Sequence, residues 1–274
     1  MIIWAGSCAQ TECRFQGCCL KNAETWKPTK FVEKRAGTLT ASRDPGECGV
    51  SSRVAADSIG RFYSRVIPEH ARGDLLDLGC GTVPLYGLYS RFVESTTCAD
   101  WENSQSANPH IDVFVDLNEL PLPFDDASAD TLLLSDVLEH VMHPWELMEE
   151  VARILRPGGV LLLNVPFYYP LHSVPYDYHR FTEFALRAMC ERAGLDVIEL
   201  SPTGGAPEIL ADVSSKVVSM LPKIGKGIAR VIQGTTALWL RGRFGRRVST
   251  TTGTTFPLAY AMVARKTGTA SKRG

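Results

Sequence analysis

The sequence predicts an α/β fold, a doubly wound, mostly parallel sheet of seven strands with helices on both faces. Three observations predict it. Short runs of almost unbroken apolar residues alternate with helical periods across residues 51–267, the pattern of strands covered on both sides. Three of these runs lead into an aspartate: Asp77, Asp100 and Asp116. The first continues directly into Gly79-Cys80-Gly81-Thr82, a turn whose glycines let a backbone approach a ligand closely.

The elements follow in order. Residues 1–50 mix Cys, Lys, Thr, Gly and Pro without a period and are expected to form an irregular extension. Val54, Ile59, Phe62, Tyr63, Val66 and Ile67 make one face of a helix over 53–67. Asp74–Leu78 is a strand, and Pro84 opens a helix running to about Phe92. Strands are expected at 96–99, 111–115 and 131–134. The helix 144–155 carries Leu147, Met148, Val151 and Ile154 on one face and stops at Arg156-Pro157-Gly158-Gly159. Strand 160–165 follows. Thr182 and Gly194 bracket a helix as N-cap and C-terminal stop. Strands at 196–200 and 258–263 complete the sheet, and 268–274 is a tail.

Residues 202–255 interrupt the alternation before the last strand. They hold eight Lys or Arg against Glu208 and Asp212, among many apolar residues, and read as two helices joined near Pro222–Gly227. Such a basic amphipathic insertion suits either a helical lid on the sheet edge or, over 207–247, a peripheral contact with anionic lipid or a lipid-linked substrate.

Bulk properties narrow the classes. A 274-residue chain with 45% hydrophobic and 22% charged residues can bury a large core, and a net charge of −1 favours neither nucleic acid nor an acidic partner. No apolar run approaches the ~20 residues of a membrane span, and Met1–Gly6 lacks a basic leader, so the expected compartment is the cytoplasm, with the insertion allowing a peripheral membrane position. Cys8, Cys13, Cys18, Cys19 and Cys48 cluster early without Cys-x-x-Cys pairs, which argues against a zinc site. Cys80, Cys98 and Cys190 sit in apolar segments as small buried hydrophobes.

Asp77 places a negative charge beside the glycine turn, where a phosphate cradle would want neutral or cationic donors. The ligand is therefore expected to bring hydroxyls or positive charge. Pro84 stands where a dinucleotide fingerprint needs its third small residue, which disfavours a nicotinamide enzyme. No Asn/Asp-Pro-Pro-aromatic motif of amino-methylating nucleic-acid enzymes follows the fourth strand.

Four motifs in order carry a resemblance: Leu76-Asp77-Leu78-Gly79-Cys80-Gly81-Thr82; Asp116 with Leu120–Asp125; Leu134-Ser135-Asp136-Val137-Leu138-Glu139-His140-Val141; and Glu150–Gly159. The chain resembles the class I S-adenosylmethionine (SAM) dependent methyltransferases, most closely the type 11 methyltransferase domain, over about 55–200 and the last strand. The resemblance implies a Rossmann-like fold and SAM as cofactor. It places Asp77, Gly79 and Gly81 at the amino-acid end of SAM and Asp100 at the ribose. Asp116 and Leu117 fall at the adenine, and Ser135 near the sulfonium. Trp101 is either an adenine platform or a core tryptophan. The family's third turn glycine falls at Val83, which predicts a stiffer turn.

Methyl transfer to a hydroxyl needs alignment and removal of one proton. His140, after Glu139 at the end of the fourth strand, is a candidate base, or else a capping or core histidine. The segment from Pro166 to Phe181 is dense in aromatics. It offers His179, Asp177 and Arg180 as base, orienter and anion anchor, with Tyr168, His172, Tyr176 and Tyr178 as further acceptor contacts. The alternative is a packed loop in which Arg180 pairs with Asp177. A metal on His172, Asp177 and His179 lacks a fourth ligand and helical spacing, so none is expected. Together these features predict methyl transfer, at oxygen, to a small molecule, sugar or lipid-linked acceptor. The rival is a non-catalytic binding or scaffolding protein on the same fold.

Overall fold

The computed structural model describes residues 20–35, 37–102 and 108–268. Cys8, Cys13, Cys18 and Cys19, and the tail beyond 268, lie outside the described residues. Nine strands and seven α-helices are described. The strands are β1 (Phe31–Arg35), β2 (Thr38–Ala41), β3 (Asp74–Leu78), β4 (Ser95–Asp100), β5 (Val113–Phe114), β6 (Ala129–Ser135), β7 (Leu155–Pro166), β8 (Leu195–Thr203) and β9 (Ala259–Lys266). The helices are α1 (Arg53–His70), α2 (Tyr86–Tyr89), α3 (Pro144–Ile154), α4 (Glu183–Ala193), α5 (Ala206–Ser219), α6 (Gly225–Arg241) and α7 (Arg243–Gly253).

Seven strands form one sheet in the order β5-β4-β3-β6-β7-β9-β8. The first five are parallel, and β9 runs antiparallel between β7 and β8. The alternation of side chains along the strands builds two cores. Leu132 and Leu134 of β6 join Leu161 and Leu163 of β7 beneath α3 and α4. Leu133 and Leu162 face the other way, under Ile59, Phe62, Tyr63 and Val66 of α1. From β3 the chain runs outward to β4 and β5, then crosses back to β6 on the other side. That reversal opens a crevice at the carboxyl ends of β3, β4 and β6.

Four local expectations change. The helix after Pro84 shrinks to Tyr86–Tyr89, and the strand expected at 111–115 to Val113–Phe114. Arg156–Gly159 lies inside β7, where a Cβ on Gly159 would come within 2.9 Å of the Arg156 carbonyl. The insertion holds three helices, because Gly242, in an extended conformation (φ −72°, ψ 155°), ends α6 and starts α7. The helix bracketed by Thr182 and Gly194 is present as read: Thr182 Oγ1 accepts from Ala185 N, and Gly194 takes φ +74°.

Residues 20–41 are ordered where an irregular arm was expected. β1 and β2 pair antiparallel and pack on α1, with Phe31 and Leu39 buried. The preceding stretch crosses the crevice end of the sheet. Lys21 Nζ donates to the Ile111 carbonyl, and Trp26 packs edge-on to Tyr86 at 5.2 Å. Gly87 admits this indole, since a Cβ there would lie 2.7 Å from the ring.

Candidate functional site

The glycine turn after β3 is shaped from beneath. Gly79 (φ +69°) faces Val137, whose Cγ2 would lie 2.6 Å from any added Cβ. Gly81 (φ +52°) has no atom within 4 Å of that position, so its surface opens into free space. Val83 also takes φ +52°, although a β-branched residue rarely does. Its side chain is fully buried beside Leu85, Leu88 and Tyr89, pointing away from the crevice.

The strand-end acids differ in circumstance. Asp77 is 3% exposed, and its one described donor is the Tyr89 hydroxyl at 3.4 Å. Burial, reinforced by the charge of Asp100, pushes its carboxyl up to about 7. Asp100 accepts from Gly81 N at 2.8 Å and Trp101 N at 2.7 Å, and burial raises it too. Asp116 lies two residues beyond β5, where its Oδ1 accepts from Asn118 N and Nδ2; Leu117 beside it is buried. Trp101 packs edge-on to Tyr176 at 5.2 Å, so it belongs to the crevice rim and not to the core.

At the tip of β6, Ser135 donates to Asn164 Oδ1 (2.9 Å), which also accepts from the Tyr63 hydroxyl (2.7 Å). Asn164 is fully buried, and its amide donates to Asp136. Asp136 Oδ2 meets Lys30 Nζ at 2.6 Å. Burial alone would lower the lysine, but Asp136 outweighs it and holds the amine cationic.

The segment 167–181 closes over this floor. The Glu139 carbonyl accepts from Tyr178 N (2.9 Å) and His179 N (3.2 Å). Asp177 grips Arg180 through both oxygens, at 2.6 and 2.7 Å, and accepts from His172 N. That pairing with Arg180 holds the Asp177 carboxyl well below the usual range. Arg180 also donates to the carbonyls of Tyr169, Pro170 and His179, so it braces the loop instead of offering an anion anchor. Asp177 stands beside His172, not His179: its Oδ2 lies 3.3 Å from His172 Nδ1. His179 stacks near Phe181 (5.3 Å), with Nε2 buried and without a partner. Tyr168, Tyr176 and Tyr178 are each about two-fifths exposed on the outer loop.

His140, His172 and Glu139 come together. The two rings lie 4.8 Å apart, and both Nε2 atoms are 3.6 Å from Glu139 Oε1. Glu139 is fully buried, and neither carboxylate oxygen has a hydrogen-bond donor. Burial pushes it up. Each Nδ1 is engaged elsewhere: His140 at the Tyr176 carbonyl (2.7 Å), His172 near Asp177 and the Pro170 carbonyl. Burial would lower His172, but Glu139 and Asp177 outweigh it and raise its affinity for a proton. These three groups are also the one set among the described residues whose atoms could share a metal, lying within 4.8 Å of one another. They replace the disfavoured set of His172, Asp177 and His179.

His140 and His172 open onto a cavity of about 400 Å³. Its other walls include Lys30, Ser52, Ala56, Asp136 and Tyr169, while His179 is absent from them.

A family model described as a methyltransferase domain matches residues 76–163, the span that holds the glycine turn, Asp100, Asp116 and the Ser135–His140 segment. That span is thus similar to the methyltransferase domain. Among curated relatives, a probable SAM-dependent methyltransferase of Mycolicibacterium smegmatis is 33% identical over 110 residues, 38% of this chain and 42% of that protein. One of Mycobacterium tuberculosis is 31% identical over 110 residues, covering 38% and 39%. The match thus spans about two-fifths of the length of these relatives. Among solved structures, the [4+2]-cyclase SpnF superposes with a TM-score of 0.54 at 15% identity, covering 88% of this chain and 89% of that one. That likeness shows the fold.

The residues here fit SAM, the cofactor in the names of those relatives. The space before Gly81 is a cradle that a side chain would fill, and beside it stand two carboxylates raised by burial, of which Asp77 has only one donor, at long range, among the described residues. A ligand carrying hydroxyls and positive charge answers both. Sequence reasoning missed Lys30, Tyr63, Asp136, Asn164 and Glu139. Asn164 was detectable as the lone polar residue within Val160–Val165; Lys30 carried no signal.

Proposed function

We propose that the protein transfers the methyl group of SAM to an oxygen of a small-molecule, sugar or lipid-linked acceptor seated in the cavity beside His140. The observation that carries this reading is the placement of His140. His140 lines the cavity with its Nδ1 tied to a backbone carbonyl, which leaves Nε2 to take a proton with a buried carboxylate 3.6 Å away.

SAM supplies an electrophilic methyl on a sulfonium and needs no further activation. Asp77, Gly79 and Gly81 would hold its amino-acid end, and Asp100 the ribose hydroxyls. Asp116, Leu117 and Trp101 would border the adenine, and Ser135 would stand near the reacting end. His140 Nε2 takes the acceptor's hydroxyl proton as the oxygen attacks. The imidazolium so formed is stabilised by Glu139. His172, its proton affinity raised by Glu139 and Asp177, would offer its ring to a second acceptor oxygen, and Tyr176 and Tyr168 an aromatic wall. With Arg180 braced against Asp177, neither serves as base, and His179 supports the loop through Phe181. In this reading the three grouped residues handle protons without a metal.

The fold alone does not decide the chemistry, since a cyclase shares it. The test is single-turnover methylation by the full chain with labelled SAM across hydroxylated glycan and lipid-linked acceptors. Label transfer lost in His140→Ala but kept in His179→Ala supports the reading. SAM binding with no transfer to any acceptor would instead favour a binding or scaffolding role.

A further inference from the structure

Helix α5 is inside out, and α6 beside it also exposes apolar residues. On α5, the residues turned to solvent are Leu210 (69% exposed), Val213, Val217 and Met220 (83%). They recur at helical spacing and form one apolar stripe. The buried face of the same helix carries Glu208, Asp212 and Ser215, each fully buried. On α6 the exposed residues include Ile228, Val231, Leu238 and Trp239, while Gln233 is 3% exposed. Gln233 and Glu208 find their partners inward. Gln233 accepts from Val54 N and donates to the Ser51 and Ala211 carbonyls and to Ser215 Oγ. Glu208 accepts from Gly205 N and Ser249 Oγ.

A water-facing helix puts polar residues outward, and single exposed apolar residues are ordinary. An apolar stripe on α5 continued by exposed apolar residues of the adjacent α6 is not, because contiguous apolar surface of this kind marks a contact site. Leu210 of α5, Ile232 and Trp239 of α6 and Val248 of α7 line one shared groove, so the three helices open their apolar residues to the same side.

Charge selects the occupant. Lys223, Lys226 and Arg230 are exposed around the start of α6, and Arg241, Arg243, Arg246 and Arg247 around the start of α7. Both acids of the insertion are buried, so the exposed face is uncompensated positive charge around apolar residues. Trp239 and Phe244, 6.0 Å apart, sit among the arginines. Aromatic rings beside basic groups suit the headgroup layer of a bilayer. No described helix is long and apolar enough to cross one.

We propose that α5, α6 and α7 form a docking surface for an anionic lipid bilayer, which they enter to headgroup depth. The proposal stands apart from the assigned reaction, since binding to lipid requires neither cofactor nor acceptor.

The test is co-sedimentation of the full chain with vesicles of phosphatidylcholine alone or mixed with phosphatidylglycerol. Binding is expected to the anionic vesicles, weakening as salt is raised. The triple variant Leu210→Ser, Val217→Ser, Val231→Ser should lose binding about tenfold or more with an unchanged melting temperature. Arg243→Gln, Arg246→Gln, Arg247→Gln should reduce binding to the anionic vesicles by about tenfold or more. No binding to either vesicle, or equal binding by wild type and the apolar variant, overturns the proposal. So does a dimer in gel filtration that the apolar variant dissociates while vesicles bind neither form, which would assign the surface to a second copy of the chain.

Discussion

The indole Nε1 of Trp26 donates to the carbonyl of Val83 at 3.1 Å, joining the N-terminal stretch to the turn beneath the cofactor crevice. Val83 holds a left-handed conformation that favours glycine, with its side chain buried in the α1 core. Strain of about 1–3 kcal/mol is thereby set against the burial of an isopropyl group. Val83→Ala keeps the strain and loses the burial, whereas Val83→Gly relieves the strain. We expect the alanine variant to be less stable than the glycine variant by about 1 kcal/mol, the reverse of the usual helix order, in urea unfolding. Alanine at or above glycine in stability would refute this account.

Asp77 gives the crevice a pH dependence. In the free protein its carboxyl is raised from 3.8 to about 7 by burial and by Asp100. The folded state therefore binds the proton more tightly than the unfolded one, and stability falls as pH rises from about 4 to 7. The effect is on the order of 4 kcal/mol. Asp77→Asn should flatten that slope. A cationic ligand pulls the carboxyl back down, so SAM binding below pH 7 should release protons. Calorimetry in buffers of different ionisation enthalpy measures this release, and its absence would remove Asp77 from contact with the ligand's charge.

Glu139 is predicted to act through its two histidines. Glu139→Gln keeps shape and burial but cannot stabilise a nearby imidazolium. We expect kcat to fall about 10²-fold with SAM affinity unchanged. His140→Ala should cost 10²–10⁴-fold on the same scale. A Glu139→Gln enzyme with wild-type kcat would assign the carboxylate a purely structural part.

Chelation tests whether those groups work without a metal. Turnover should be unchanged after dialysis against EDTA and after addition of Mg²⁺, Mn²⁺ or Zn²⁺. Loss on chelation with recovery on one cation would show that Glu139, His140 and His172 hold that ion, a ligand set softer than Mg²⁺ prefers.

Asp177→Asn should loosen the aromatic loop. The Arg180 partnership depresses the Asp177 carboxyl, so its stabilisation is complete above the unfolded value near 4 and disappears as pH falls toward its lower folded value. Limited proteolysis should cut the variant within 167–181 faster than the wild type at pH 7. The difference between the two should narrow in acid.

The sheet was legible because its strands are apolar on both faces, as in Leu132–Leu134 and Leu161–Leu163, and because Thr182 and Gly194 mark helix ends chemically. The acids at positions 77 and 100 were legible for the same reason, as charges closing apolar runs. Residues 20–41 were not. Their contacts are with distant parts of the chain, as in Trp26 with Val83 and Lys30 with Asp136, and local periodicity carries no trace of them. The role of Asp177 was misplaced because spacing cannot tell which histidine a loop folds beside it. The insertion was recognised as basic and amphipathic. Its inversion was hidden, since a helical period reveals two faces without saying which one is inside.

Gln233 joins α6 to the first turn of α1 by accepting from Val54 N, and Ser52, Ala55, Ala56 and Ile59 at that end of α1 wall the cavity beside His140. The surface helices are thus bolted to the reaction chamber and not hung from a flexible tether. With those helices resting on a bilayer, the height of His140 above the lipid is set by one rigid strut. The protein then acts as a ruler: among acceptors anchored in the same membrane, it would select those whose hydroxyl stands at that one altitude.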